Sequence, residues 1–313
     1  MNVPVFDLHC DTAFELLGHN GIAKQTLKEN DLHIDLQRAA MLTAYAQCFA
    51  CYTTTADHSV DPTDLFQKEL TILKSQINAN GERIALAKTG AEIRKNRDKG
   101  LISAILTAEG AAGIGFRTEM LPGLKEEGFC MISLCWNEQN PLTGSHITGG
   151  GLTEQGRAFV KTAQDLGILI DVSHISDEGF WDIMDITTAP IVASHSNSRH
   201  IHIHTRNLSD EMFLAICKTG GAAGINLFTS FLGNNSLDAV CDHILHYLEL
   251  DPDGTHIGLG GDLDGCNSLP DGFTGIQDYQ KLAVCLRERG LPETVIENIF
   301  WNNALGVMER CCT

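Results

Sequence analysis

No apolar run in this chain approaches the roughly 18 residues needed to cross a bilayer. No basic stretch followed by an apolar core and a small-residue cleavage site opens it. A membrane-embedded or exported protein is therefore not expected, and the expectation is a cytoplasmic one. Basic residues are scarce: Lys and Arg number 22 against 40 Asp and Glu, a formal net charge of −18. No basic cluster interrupts that balance, which argues against nucleic acid and anionic membranes as partners. There is no Pro/Ser-rich linker, low-complexity tract or compositional break, so residues 1–313 read as one domain. The G-x-S-x-G elbow of serine hydrolases is missing. "TGGGLTEQG" (148–156) lacks the Lys-Ser/Thr of a phosphate loop and reads as a flexible rim loop leading to a helix cap. "DLDG" (262–265) lacks the third ligand position and distal Glu of a calcium loop. The 11 cysteines are odd in number and scattered, as expected of reduced thiols. Cys48 and Cys51 form a CxxC with no second pair at zinc-ribbon spacing, and read as core packing.

What the chain does have is a series of short apolar, β-rich runs: 3–9, 44–52, 102–110, 129–136, 168–174, 191–196, 221–228 and 256–262. Most are nearly continuous in apolar residues rather than alternating, the pattern of parallel strands buried on both faces. Helix-like spans separate them. "DPTDLFQKELTILKSQINAN" opens on a capping aspartate, "TEQGRAFVKTAQDLG" on a threonine and "SDEMFLAICKTGG" on a serine, the last two closing on Gly167 and Gly220. "PETVIENIFWNNALGVMERCC" supplies one or two closing helices. Eight strands alternating with helices predict an α/β fold of the (β/α)8 TIM-barrel type, with the chemistry at the C-terminal ends of the strands.

At those ends stand His9 and Asp11 after the first run, Glu109 after the third, His174 after the fifth, His195 after the sixth and Asp262 after the eighth. His9 and Asp11 are two apart, so on an extended chain they leave the backbone on one side, as a metal ion requires. Each residue alone could be an ordinary hydrogen-bonded loop residue. Three imidazoles and three carboxylates on one rim match the nitrogen and carboxylate ligands of borderline divalent metals such as zinc. Six are too many for one catalytic zinc and suit a two-metal site sharing a carboxylate.

The motifs "FDLHCDT", "LTAEG", "DVSH", "ASHSNSR", "RNLSD" and "GGDLDG" occur in that order over residues 6–265. In this the chain resembles the renal or membrane dipeptidase family of amidohydrolase-type, metal-dependent barrels. The resemblance implies two zinc ions per chain, one held by His9 and Asp11, the other by His174 and His195, with Glu109 bridging both. It implies that Arg206 binds the substrate carboxylate and that Asp262 shuttles a proton. Asp264, two residues on, could face the same way. The implied reaction is hydrolysis of dipeptides with a free C-terminal carboxylate, with acceptance of a D residue at that position left open. A homodimer is also implied, although no interface is legible in the sequence.

The chain departs from the vertebrate members at one place near the substrate. They carry a histidine after the fourth strand, where this sequence has Trp136 followed by Asn137. "SRHIHIHTR" places His200, His202 and His204 at alternate positions; an active-site loop is the expectation, and a separate metal tract the alternative. Two other functional readings stand beside the dipeptidase: a barrel hydrolase acting on a cyclic amide or lactam, and a non-catalytic metal-binding homologue.

Overall fold

The computed structural model describes residues 2–18, 25–57 and 59–312, so the end positions of the expected 1–313 domain lie outside it. Among the described residues nine strands form: β1 Val5–Cys10, β2 Tyr45–Tyr52, β3 Ile84–Leu86, β4 Ile102–Glu109, β5 Phe129–Ser133, β6 Leu169–Asp171, β7 Ile191–Ala193, β8 Ala222–Ile225 and β9 Ile257–Leu259. All pair in parallel. The order runs β2-β1-β9-β8-β7-β6-β5-β4, and pairing of β2 with β4 closes it into an eight-stranded barrel with helices between the strands. This is the expected TIM-barrel fold.

The eight expected runs are the eight barrel strands. The ninth, β3, pairs only with the first residues of β4, below the point where β5 takes over that edge. Its three residues, Ile-Ala-Leu, are too short to carry a periodic signal. The expected runs overshoot at their C-terminal ends, since 134–136, 172–174 and 226–228 lie outside the sheet. Those stretches leave the ladder and bring Trp136, His174 and Phe228 to the cavity over the barrel mouth.

Side chains sort into two cores. Phe6, Leu8, Cys48, Ile105, Met131 and Val192 meet in one, together with Trp301 and Leu305 of the closing helical segment. Only the barrel interior can join so many strands, and Trp301 plugs its N-terminal end. The larger core lies between barrel and outer helices and takes Phe49 and Cys51. Cys48 and Cys51 are thus buried on opposite faces of β2, and all eleven cysteines are free. The helix caps form as the sequence indicates: Asp61 accepts from Asp64 N, Thr153 from Gly156 N and Ser209 from Met212 N, while Gly220 ends its helix at φ 76°. Among the described residues, no helix is long and apolar enough to cross a membrane.

Candidate metal centre

His9 stands at the end of β1, where the register against β2 shifts between Asp7 and Cys10. Asp7 accepts hydrogen bonds from Gln47, Gly261 N and the Tyr279 hydroxyl. His9, two residues on, faces the barrel mouth instead, as expected where a bulge re-aims a side chain. Its Nε2 lies 3.4 Å from Asp11 Oδ2, 3.6 Å from Glu109 Oε2 and 3.9 Å from Asp262 Oδ1. Asp11 itself lies past the strand, at the N-terminus of a short helix, so the equal-side spacing holds only in effect. Glu109 ends β4, and its other oxygen, Oε1, is 2.8 Å from His174 Nε2 and 3.7 Å from His195 Nε2. The two imidazole Nε2 atoms are 3.0 Å apart. Glu109 therefore offers one oxygen to each half of the cluster. His9, Asp11 and Glu109 form one group that could hold an ion, and Glu109, His174 and His195 form another.

Burial and crowding make this a site short of positive charge. Burial opposes protonation of His9, yet Glu109, Asp11 and Asp262 outweigh it and push its pKa up to about 10. Burial, reinforced by the Asp11 carboxylate, raises Glu109 well above the usual carboxylate range, and burial raises Asp262 as well. Burial, with Arg206 and His9 nearby, holds His174 and His195 well below the ordinary imidazole range, so both are neutral and have a lone pair to give. His9 Nε2 and Asp11 Oδ1 are buried with no hydrogen-bond partner among the described residues. Gly265 keeps the space beside them open: a Cβ there would stand 2.0 Å from Asp11 Oδ2 and 2.5 Å from Asp262 Oδ1. Orphaned donor atoms, neutral imidazoles and crowded carboxylates are what a divalent cation satisfies, and the residues fit such an ion.

A ring of supporting residues fixes these side chains; the sequence drew attention to Asn137 among them but to no supporting role. The Ser194 hydroxyl donates to Asp171 Oδ2 and sits 2.6 Å from His195 Nδ1. With its only proton given to Asp171, it must accept from His195 Nδ1–H, which leaves Nε2 free at the cluster. Asp171 also accepts from Ser173 and from Ser194 N. Asn137 Oδ1 does the same for His174, 3.0 Å from its Nδ1, and also accepts from His146 Nε2 at 2.8 Å. His146 reaches Thr205 through its other nitrogen. Asn226 donates to Asp262 Oδ2 at 3.0 Å and to the His195 carbonyl. The available signal was position: Asn137, Asp171 and Asn226 lie at or just beyond strand ends.

Arg206 is buried at 3% exposure, with Nη2 3.0 Å from His174 Nε2 and Nη1 without a hydrogen-bond partner among the described residues. Its guanidinium carbon lies 5.4 Å from the Phe231 ring centre. Asp262 adopts a left-handed φ of 57°, at about 9% exposure. Asp264 does not face the site as a free carboxylate. It accepts from the Thr12 hydroxyl and from His33 N, both at 2.6 Å, and so staples the first loop to the last. The cavity above holds about 540 Å³. Phe14, Tyr52 and Trp136 form one wall, Tyr52 meeting each neighbour edge-on at 5.6 and 5.1 Å. His204, Arg206 and Phe231 stand on another.

A family description, membrane dipeptidase (peptidase family M19), matches residues 1–312. The chain belongs to this family. As a member it is a metal-dependent dipeptidase. It is 31% identical over 265 residues to an uncharacterized protein in the pqqA 5′ region of Klebsiella pneumoniae, covering 80% of this chain and 97% of that one. It is also similar to a dipeptidase, tcpJ, of Claviceps purpurea, at 25% identity over 91% of this chain and 71% of that one. Among solved structures, a Rhodobacter sphaeroides metallopeptidase liganded with a phosphinate mimic of L-Ala-D-Ala superposes with a TM-score of 0.89. It is 27% identical and covers 99% of this chain and 100% of its own.

Proposed function

We propose that this family member is a dinuclear zinc dipeptidase, built as one catalytic domain over residues 1–313, that cleaves dipeptides bearing a free C-terminal carboxylate. The observation that carries the reading is Glu109, whose two oxygens point to two separate sets of metal-type side chains. His9 and Asp11 would hold one ion, His174 and His195 the other, and Glu109 both. When bound, such ions polarise a carbonyl and lower the pKa of water.

The protein's own groups supply the rest. Arg206 presents a partnerless Nη1 inside a buried pocket and would receive the substrate carboxylate. Asp262 lines the cavity, near His9 and held by Asn226, and would take the proton of the attacking water and deliver it to the leaving amine. Its raised pKa suits a group that must both accept and release a proton. The aromatic wall of Phe14, Tyr52 and Trp136 would receive an apolar side chain of the substrate. The bound L-Ala-D-Ala mimic in the Rhodobacter sphaeroides protein supports acceptance of a D residue at the C-terminal position. Turnover of matched L,L and L,D dipeptides by zinc-loaded protein, alongside cyclic amides and lactams, tests the reading. Hydrolysis of the cyclic substrates with none of the dipeptides would refute it.

A further inference from the structure

The histidine tract after β7 does not act as a unit. His204 turns to the active-site wall, its ring 4.6 Å from Phe231, and its Nδ1 accepts from Arg206 N. His200 turns the other way, toward the helices Asp210–Thr219 and Leu237–Leu250. There its ring stacks on His246 at 4.3 Å, with the planes only 10° apart. Asp210 faces both rings: one carboxylate oxygen is 2.8 Å from His246 Nε2, the other 4.0 Å from His200 Nδ1. The three ligating atoms lie within 4.8 Å of one another. Glu249 approaches the other nitrogen of His246, Nδ1, at 3.4 Å. A carboxylate on the far nitrogen of an imidazole is the arrangement that turns the near nitrogen toward a metal.

We propose that His200, Asp210 and His246 form a further site for a divalent transition-metal ion of borderline softness, zinc above all. Two imidazoles and a carboxylate with an open side is a donor set that zinc takes, the fourth position falling to water. His246 is buried, at 7% exposure, and Asp210, with 33% of its side chain exposed, is held by its contact with His246, while His200 has 63% of its side chain exposed and is free to adjust. A bound ion would link the loop of residues 199–206, which carries His204 and Arg206, to two outer helices. The site would thereby hold the substrate-facing arginine in place from outside the catalytic cavity.

The test compares zinc stoichiometry in tag-free, full-length protein by calorimetric titration and by elemental analysis after gel filtration from excess zinc chloride. The wild type should hold one ion more per chain than His200→Ala, whose exposed position leaves folding unaffected. His202→Ala, a change in the same tract outside the cluster, should match the wild type. Equal stoichiometry in wild type and His200→Ala overturns the site. Loss of the ion in His202→Ala overturns this ligand set in favour of the tract itself. Only differences between variants are read, so the count at the catalytic centre and the substrate specificity do not enter.

Discussion

Replacing Arg206, a residue only 3% exposed, with methionine removes its guanidinium while keeping an unbranched side chain in its place. Among the described residues, Nη1 has no hydrogen-bond partner and Nη2 bonds to the Nε2 of His174. The residue lines the cavity. A carboxylate bound there is desolvated, and loss of its charged partner costs about 2–5 kcal/mol when the other charge stays buried. At 1.4 kcal/mol per tenfold, kcat/KM for a dipeptide should fall by about 30-fold to several thousandfold. The fall should vanish for C-terminally amidated dipeptides, which offer no carboxylate and should be poor substrates for both proteins. Steady-state kinetics on the matched acid and amide gives the comparison directly, and a melting curve checks that the variant is folded. Equal losses on both substrates would refute the carboxylate-binding role and make Arg206 a support for His174.

Glu109→Ala should reduce bound zinc at both halves of the centre, whereas His174→Ala should weaken mainly one; elemental analysis that finds two full-strength ions in the Glu109 variant would remove the shared-ligand role. Asp262→Asn keeps its size and the contact with Asn226 but cannot act as a base, so kcat should drop by about 10²–10⁴-fold with zinc content unchanged; loss of an ion would make Asp262 mainly a ligand. Asp264→Asn should instead lower thermal stability, because its two oxygens accept from Thr12 and His33 across the loops. His243 is fully buried, accepts from Ser198 N through Nδ1, and is held down to about 4 by burial. Its folded value lies below its unfolded one, so its contribution is complete above pH 6.5 and is lost as pH falls toward 4. Taking 1.36 kcal/mol per unit, about 3 kcal/mol is at stake, and chemical denaturation of His243→Asn should show a shallower loss across that window than the wild type; parallel slopes would count against it.

The barrel and its rim were legible because the signals are local. Continuous apolar runs mark buried parallel strands, and Ser209 and Gly220 mark the ends of a helix. His9 and Glu109 lie in the last two residues of their strands, and His174, His195 and Asp262 follow theirs within three. Each of those properties depends on a few neighbouring residues. What only the tertiary structure decided depends on pairs far apart in the chain. Closure of β2 on β4 sets Tyr52 beside Glu109, and closure of the barrel brings Glu109 to His9 across a hundred residues of sequence. Whether Asp264 served the cavity or the loops turned on Thr12 and His33, more than 200 residues away. The hydroxyl between Asp171 and His195, the amide between His174 and His146, and the stacking of His200 on His246 have no sequence period to announce them. Periodicity reports which face of an element is buried; only packing reports which partner it is buried against.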